Sequence, residues 1–144
     1  MKSTLLVFAS LMVCLGLVLS GCNQQEGKTL TVLLTTQQDP LIVPVGTPVT
    51  IDSLFTYTGY DPNNTNTKSL YYTYSVVGAP PGAVVTITPS AVGTVDGSAT
   101  PSLPPTAVFT FNQAGTYIMR LTMGQQNGYI TASNDHTFLA TASN

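Results

Sequence analysis

Beyond residue 29 the apolar residues of this chain fall on alternate positions, in short runs separated by Gly, Pro, Asn and Asp. Successive strand side chains point to opposite faces, so a period of two marks a sheet with one buried face, whereas a helix needs a period of 3.6. Leu30, Val32 and Leu34 alternate in a first run, and Asp39-Pro40 ends it. Positions 41–45 are extended but contain Pro44, which suits an edge strand. Val49 and Ile51 alternate next, and a polar loop follows at 61–68. Leu70, Tyr72, Tyr74 and Val76 share one face, and Pro80-Pro81-Gly82 stops that run. A short run at 84–87 reads as a strand near an edge, and 90–105 as the longest irregular stretch. Ala107, Phe109 and Phe111 alternate, as do Tyr117, Met119, Leu121 and Met123, and a last strand lies within 136–141. About seven short strands, with turn signals between them and no helical period, predict an all-β Greek-key sandwich in one domain over 29–144.

The leading segment obeys a different rule. Met1-Lys2-Ser3 is positive, and 4–19 is a continuous apolar run of sixteen residues. A membrane-spanning helix needs roughly 20 residues, whereas a signal-peptide core is shorter. The run ends in Leu19-Ser20-Gly21-Cys22, which resembles the bacterial lipobox, an aliphatic residue and two small ones before a Cys. The resemblance implies a cleaved signal at 1–21 and lipid on the Cys22 thiol. Residues 22–28 then form the lipidated Cys and a polar tether. It also implies the bacterial cell envelope: the outer membrane in a host with two, the outer face of the plasma membrane otherwise. Removing the first 21 of 144 residues leaves 123, with three basic and six acidic side chains, net −3. Cys14 leaves with the signal, so no thiol pair remains and a packed core must hold the domain.

Three stretches carry a second resemblance. Val43-Pro44-Val45-Gly46-Thr47-Pro48-Val49-Thr50-Ile51-Asp52 resembles the opening of bacterial immunoglobulin-like domains. Tyr72-Thr73-Tyr74-Ser75-Val76-Val77-Gly78-Ala79-Pro80-Pro81-Gly82 is similar to the middle strand of PKD-type domains. Phe109-Thr110-Phe111-Asn112-Gln113-Ala114-Gly115-Thr116-Tyr117-Ile118-Met119-Arg120-Leu121-Thr122 is similar to their closing strand pair. Tyr74 stands where that family usually carries Trp, and its Gly-Asp-Gly is absent, so we place the chain in the wider immunoglobulin-like group. The resemblance implies a seven-stranded spacer or adhesion module without catalytic residues. Tyr117, shortly after Gly115, is placed to form a tyrosine corner, its ring in the core and its hydroxyl on backbone.

Only 7% of residues are charged, which gives no basic footprint for nucleic acid. His136 is the only His, and Asp135 beside it faces the other way on a strand, so no Ser-His-Asp constellation forms; we expect a strand-edge or surface role for it. One His and a lipidated Cys leave zinc without ligands. Asp61-Pro62-Asn63-Asn64-Thr65-Asn66 offers loop oxygens, with Asp61 and Asn63 as weak calcium candidates, but it lacks the Gly and terminal Glu of an EF-hand loop, and Asx turns are the preferred reading. Met119 and Met123 read as core fillers, and Tyr72 and Tyr74 as core rings. Tyr57, Tyr60, Tyr71 and Tyr129 remain as surface candidates for ligand contact. We therefore expect a non-catalytic, cofactor-free envelope module anchored to membrane through Cys22. Its edge strands or Tyr-bearing loops would contact a protein partner. The alternative is a carbohydrate- or calcium-binding surface module.

Overall fold

The computed structural model describes residues 27–35, 38–98 and 106–142. Two sheets pack face to face. The first holds four strands in the order β1 (Leu30–Thr35), β3 (Val49–Tyr57), β7 (Ala107–Phe111) and β5 (Val85–Thr88). The second holds five, in the order β2 (Leu41–Pro44), β9 (Thr131–Thr141), β8 (Gly115–Gln125), β4 (Ser69–Gly78) and β6 (Val92–Asp96). The sole helix among the described residues is one turn, α1 (Thr65–Lys68). None there is long and apolar enough to cross a membrane. The pairings are antiparallel, except that β2 runs parallel to β9.

The all-β sandwich expected from alternation is therefore what forms, with nine strands rather than about seven. β6 lies inside the stretch predicted to be irregular. Its Val92 and Val95 are separated by Gly93 and Thr94, so its sequence shows no alternation. Its reason is tertiary: Tyr72 faces Gly93 across the β4–β6 pair, and any side chain at 93 would collide with the Tyr72 ring. β3 runs on to Tyr57, and Ser53 takes an inward position that an apolar pattern hides. β9 begins five residues before the predicted start, at Thr131. The edge positions expected of the segments at 41–45 and 84–87 are occupied by β2 and β5.

The core lies between the sheets. Ile51, Phe55, Tyr57, Phe109 and Phe111 of one sheet meet Leu70, Tyr74, Tyr117, Met119, Leu121, Met123 and Phe138 of the other, all buried. Val49 is only partly buried, and Val76 stays exposed beside a β-bulge between Val76 and Gly78. An edge-to-face chain of rings runs Tyr72–Tyr74–Phe109–Phe138, with centroids 5.6–5.7 Å apart. Each such pair adds about 0.5–1.5 kcal/mol beyond the area it buries. Tyr74 sits in the middle of that chain, and its hydroxyl meets Ser53 Oγ at 3.1 Å. Tyr117 is fully buried, packs on Phe111 at 4.6 Å and donates its hydroxyl to the Gln113 carbonyl at 2.8 Å. That is the tyrosine corner predicted from the sequence.

The register gives the sandwich two distinct ends. At the entry end, β1 begins at Leu30 opposite Tyr57, β4 begins opposite the end of β6, and β8 turns into β9. At the far end lie the start of β3, the last residues of β4, β7 and β9, and the start of β5. Gly46 N–H donates to the Phe111 carbonyl at 2.9 Å and Val45 N–H to the Thr141 carbonyl at 2.8 Å, which ties the two sheets together there.

Candidate functional site

Cys22, the expected lipid site, lies outside the described residues. The chain becomes described at Gly27, and it is held to the entry end from the start. Thr29 N–H donates to Thr58 Oγ1 at 2.8 Å, and Thr58 N–H donates back to the Thr29 carbonyl at 3.0 Å. Gly27 also accepts from the Thr58 hydroxyl at 3.4 Å. Whatever precedes residue 27 therefore enters beside the loop that follows β3.

The structure separates the four tyrosines proposed as ligand contacts. Tyr57 is corrected from a surface to a core position: it is 3% exposed, and its hydroxyl accepts from Gln125 Nε2. Strand β3 is longer than expected, so Tyr57 falls on its inward face with Ile51, Ser53 and Phe55. Tyr71 is half-buried in β4, opposite Gly124, and a side chain at 124 would meet its hydroxyl. It packs along the outer face of the five-stranded sheet. Tyr60, at 37% exposed, and Tyr129, at 67%, both stand on loops of the entry end. Tyr129 sits in the tight β8–β9 turn, closed by Gln125 N–H to the Ile130 carbonyl and Gly128 N–H to the Gln125 carbonyl, each at 2.9 Å.

The calcium candidates Asp61 and Asn63 lie in a loop closed by its own hydrogen bonds. Asp61 Oδ1 accepts from Asn63 N–H at 2.9 Å, and Asn64 Oδ1 accepts from Asn66 N–H at 3.0 Å. Buried Thr67 closes the loop: its hydroxyl contacts the Asp61 and Asn64 carbonyls at 3.0 Å and accepts from Asp61 N–H at 2.9 Å. These are the Asx turns weighed in the sequence. Among the described residues no three His, Cys, Asp or Glu side chains converge.

His136 is corrected as well. It is 6% exposed, points inward from β9, and meets Phe138 edge-on at 5.0 Å, with Nδ1 3.9 Å from Asp39 Oδ2. His136 pairs with Met119 of β8 and falls on the same buried face of β9 as Phe138 and Ala140. Asp135 faces outward, as alternation requires, and takes a two-pronged bond from Arg120 at 2.7 and 2.8 Å. That bond holds the Asp135 carboxyl below, and the guanidinium above, their usual values.

Two surface features were not legible in sequence. A cleft of about 420 Å³ at the entry end is lined by Thr65, Lys68, Thr94, Asp96 and Gln126. The Asp96 carboxyl there sits below its ordinary range because Ser98 N–H donates to it at 2.8 Å, with the Ser98 hydroxyl and then Lys68 assisting. At the far end, Ile42, Val76, Val77, Val84 and Ile118 are exposed. Gly78 faces Ile118 in the register, which brings the end of β4 beside that side chain.

No family model matches the chain, and no curated protein matches it in sequence. Among solved structures, it is similar to a conjugative transposon lipoprotein from Bacteroides eggerthii, with a TM-score of 0.51 at 10% identity. The superposition covers 76% of this chain and 95% of that one. At such low identity the likeness shows a shared fold.

Proposed function

We propose that this chain is a non-catalytic bacterial lipoprotein. It is anchored to a cell-envelope membrane through lipid on Cys22, and its immunoglobulin-like sandwich docks an envelope protein by its far end. The observation that carries this reading is the arrangement along the chain: a lipobox at 19–22, then a sandwich that exposes Ile42, Val76, Val77, Val84 and Ile118 at the end away from the entry point. Aliphatic groups left in water favour burial by about 25 cal/mol per Å², and several together mark an interaction surface. The strand orders β1-β3-β7-β5 and β2-β9-β8-β4-β6, with the first strands split between sheets, support the immunoglobulin-like assignment. The fold is shared with a protein described as a lipoprotein of a conjugative transposon.

The test has two parts. Palmitate labelling of the expressed full chain should mark it, and Cys22→Ser should abolish both label and processing. Photo-crosslinkers placed at Val77 and Ile118 should trap an envelope protein that a crosslinker at Tyr71 does not. Binding to a glycan array, with no crosslinked protein, would favour the carbohydrate module instead.

A further inference from the structure

We propose that the entry end of the sandwich rests on the lipid surface itself, with Tyr60 and Tyr129 seated among the headgroups. The proposal builds on lipidation at Cys22 and adds an orientation and a second contact to it.

Tether length comes first. The chain is fixed to the sandwich from Gly27 by its bonds to Thr58. Five peptide units separate Cys22 from Gly27. At about 3.6 Å each they span at most about 18 Å even when fully extended. The eleven-residue strands β8 and β9 make the sandwich about 35 Å long. The tether is thus shorter than the domain, and the entry end stays within one short reach of the bilayer.

Surface chemistry comes second and is independent of the first. Among the described large apolar residues that are exposed, two are aromatic, Tyr60 and Tyr129, and both stand at this end. The far end exposes aliphatic side chains instead. Tyr rings favour the membrane–water interface because one edge is apolar and the hydroxyl is polar. The turn that carries Tyr129 is closed by backbone bonds and by Tyr129 N–H to Asn127 Oδ1 at 3.2 Å, so the ring is presented on a fixed support. Lys28 and Lys68 at this end are matched by Asp61 and Asp96. Attraction to anionic lipid is therefore not required, and a zwitterionic surface is the fitting partner.

The chain contains no Trp, so one introduced Trp is its only such fluorophore. The full, lipidated protein carrying Tyr129→Trp, Tyr60→Trp or Val84→Trp is placed in phosphatidylcholine vesicles with lipids brominated near the headgroup. The first two variants should lose most of their Trp fluorescence to the bromines, and the far-end variant should keep it. Equal emission from all three, with palmitate still on Cys22, would overturn the docking and leave the anchor standing. Absence of label at Cys22 would overturn both.

Discussion

The hydroxyls of the buried residues Tyr74 and Tyr117 each make a hydrogen bond, and removing them should not cost the same. Tyr74 meets Ser53 Oγ at 3.1 Å, and Ser53 is wholly buried. Tyr117 donates at 2.8 Å to the carbonyl of Gln113, an exposed residue. In Tyr117→Phe water replaces the lost donor, so the cost is the net worth of an ordinary bond, about 0.5–1.5 kcal/mol. In Tyr74→Phe the Ser53 hydroxyl stays behind in a dry site, and the cost rises to about 1–3 kcal/mol. Removing both partners, in Ser53→Ala with Tyr74→Phe, should be less costly than Tyr74→Phe alone. Loss of the Tyr74 ring in Tyr74→Ala sets the upper scale, about 3–5 kcal/mol. Its contacts with Tyr72 and Phe109 go with it. Urea unfolding of the mature chain, followed by far-UV circular dichroism, reads all four as midpoint shifts at constant slope. If Tyr117→Phe cost as much as Tyr74→Phe, or the double variant cost the sum of its parts, partner burial would not be what decides these energies.

Burial raises the Tyr74 phenol above its usual value, against a smaller opposing effect of Ser53. Its contribution to stability is present in full below the unfolded phenol value of about 10 and is lost as pH rises through the folded one. Tyr74→Phe should flatten that alkaline fall, measured as urea midpoints between about pH 8 and about pH 11. Calcium at about 5 mM should move the melting temperature by less than about 2 °C relative to EDTA, because the Asp61 and Asn64 oxygens already accept backbone N–H groups. A shift of about 5 °C or more that Asp61→Ala removes would mark a metal site there. Gly115→Ala should destabilise by about 1–3 kcal/mol, since φ there is +144° and a Cβ would strike Pro80. Thermal melts would check it, and an unchanged melting temperature would mean that the β7–β8 connection relaxes freely.

Much of the sandwich could be read from the chain, because alternation reports directly which side chains leave the water. Phe109, Phe111, Tyr117, Met119 and Leu121 are buried where the period placed them, and the tyrosine corner followed from the spacing of Gly115 and Tyr117. The surface sites were far less legible. Tyr57 and Tyr60 look alike in sequence, yet one is in the core and the other in solvent. The difference is the length of β3, which continues through Ser53 because Tyr74 satisfies that hydroxyl across the sandwich.

By itself, then, the sequence determined the class of fold and one face of most strands, since those depend on local period and local composition. Tertiary structure decided which strands neighbour one another, that His136 lies on the buried face of β9 beside Phe138, and how β6 forms around Gly93 and Tyr72. It also decided that the exposed aromatic rings stand at one end, while Ile42, Val76, Val77, Val84 and Ile118 are exposed at the other. Period two tells a residue which face it occupies and says nothing of which end it reaches or what lies opposite. Those are set by register and by pairs such as Ser53 with Tyr74, whose members are 21 residues apart.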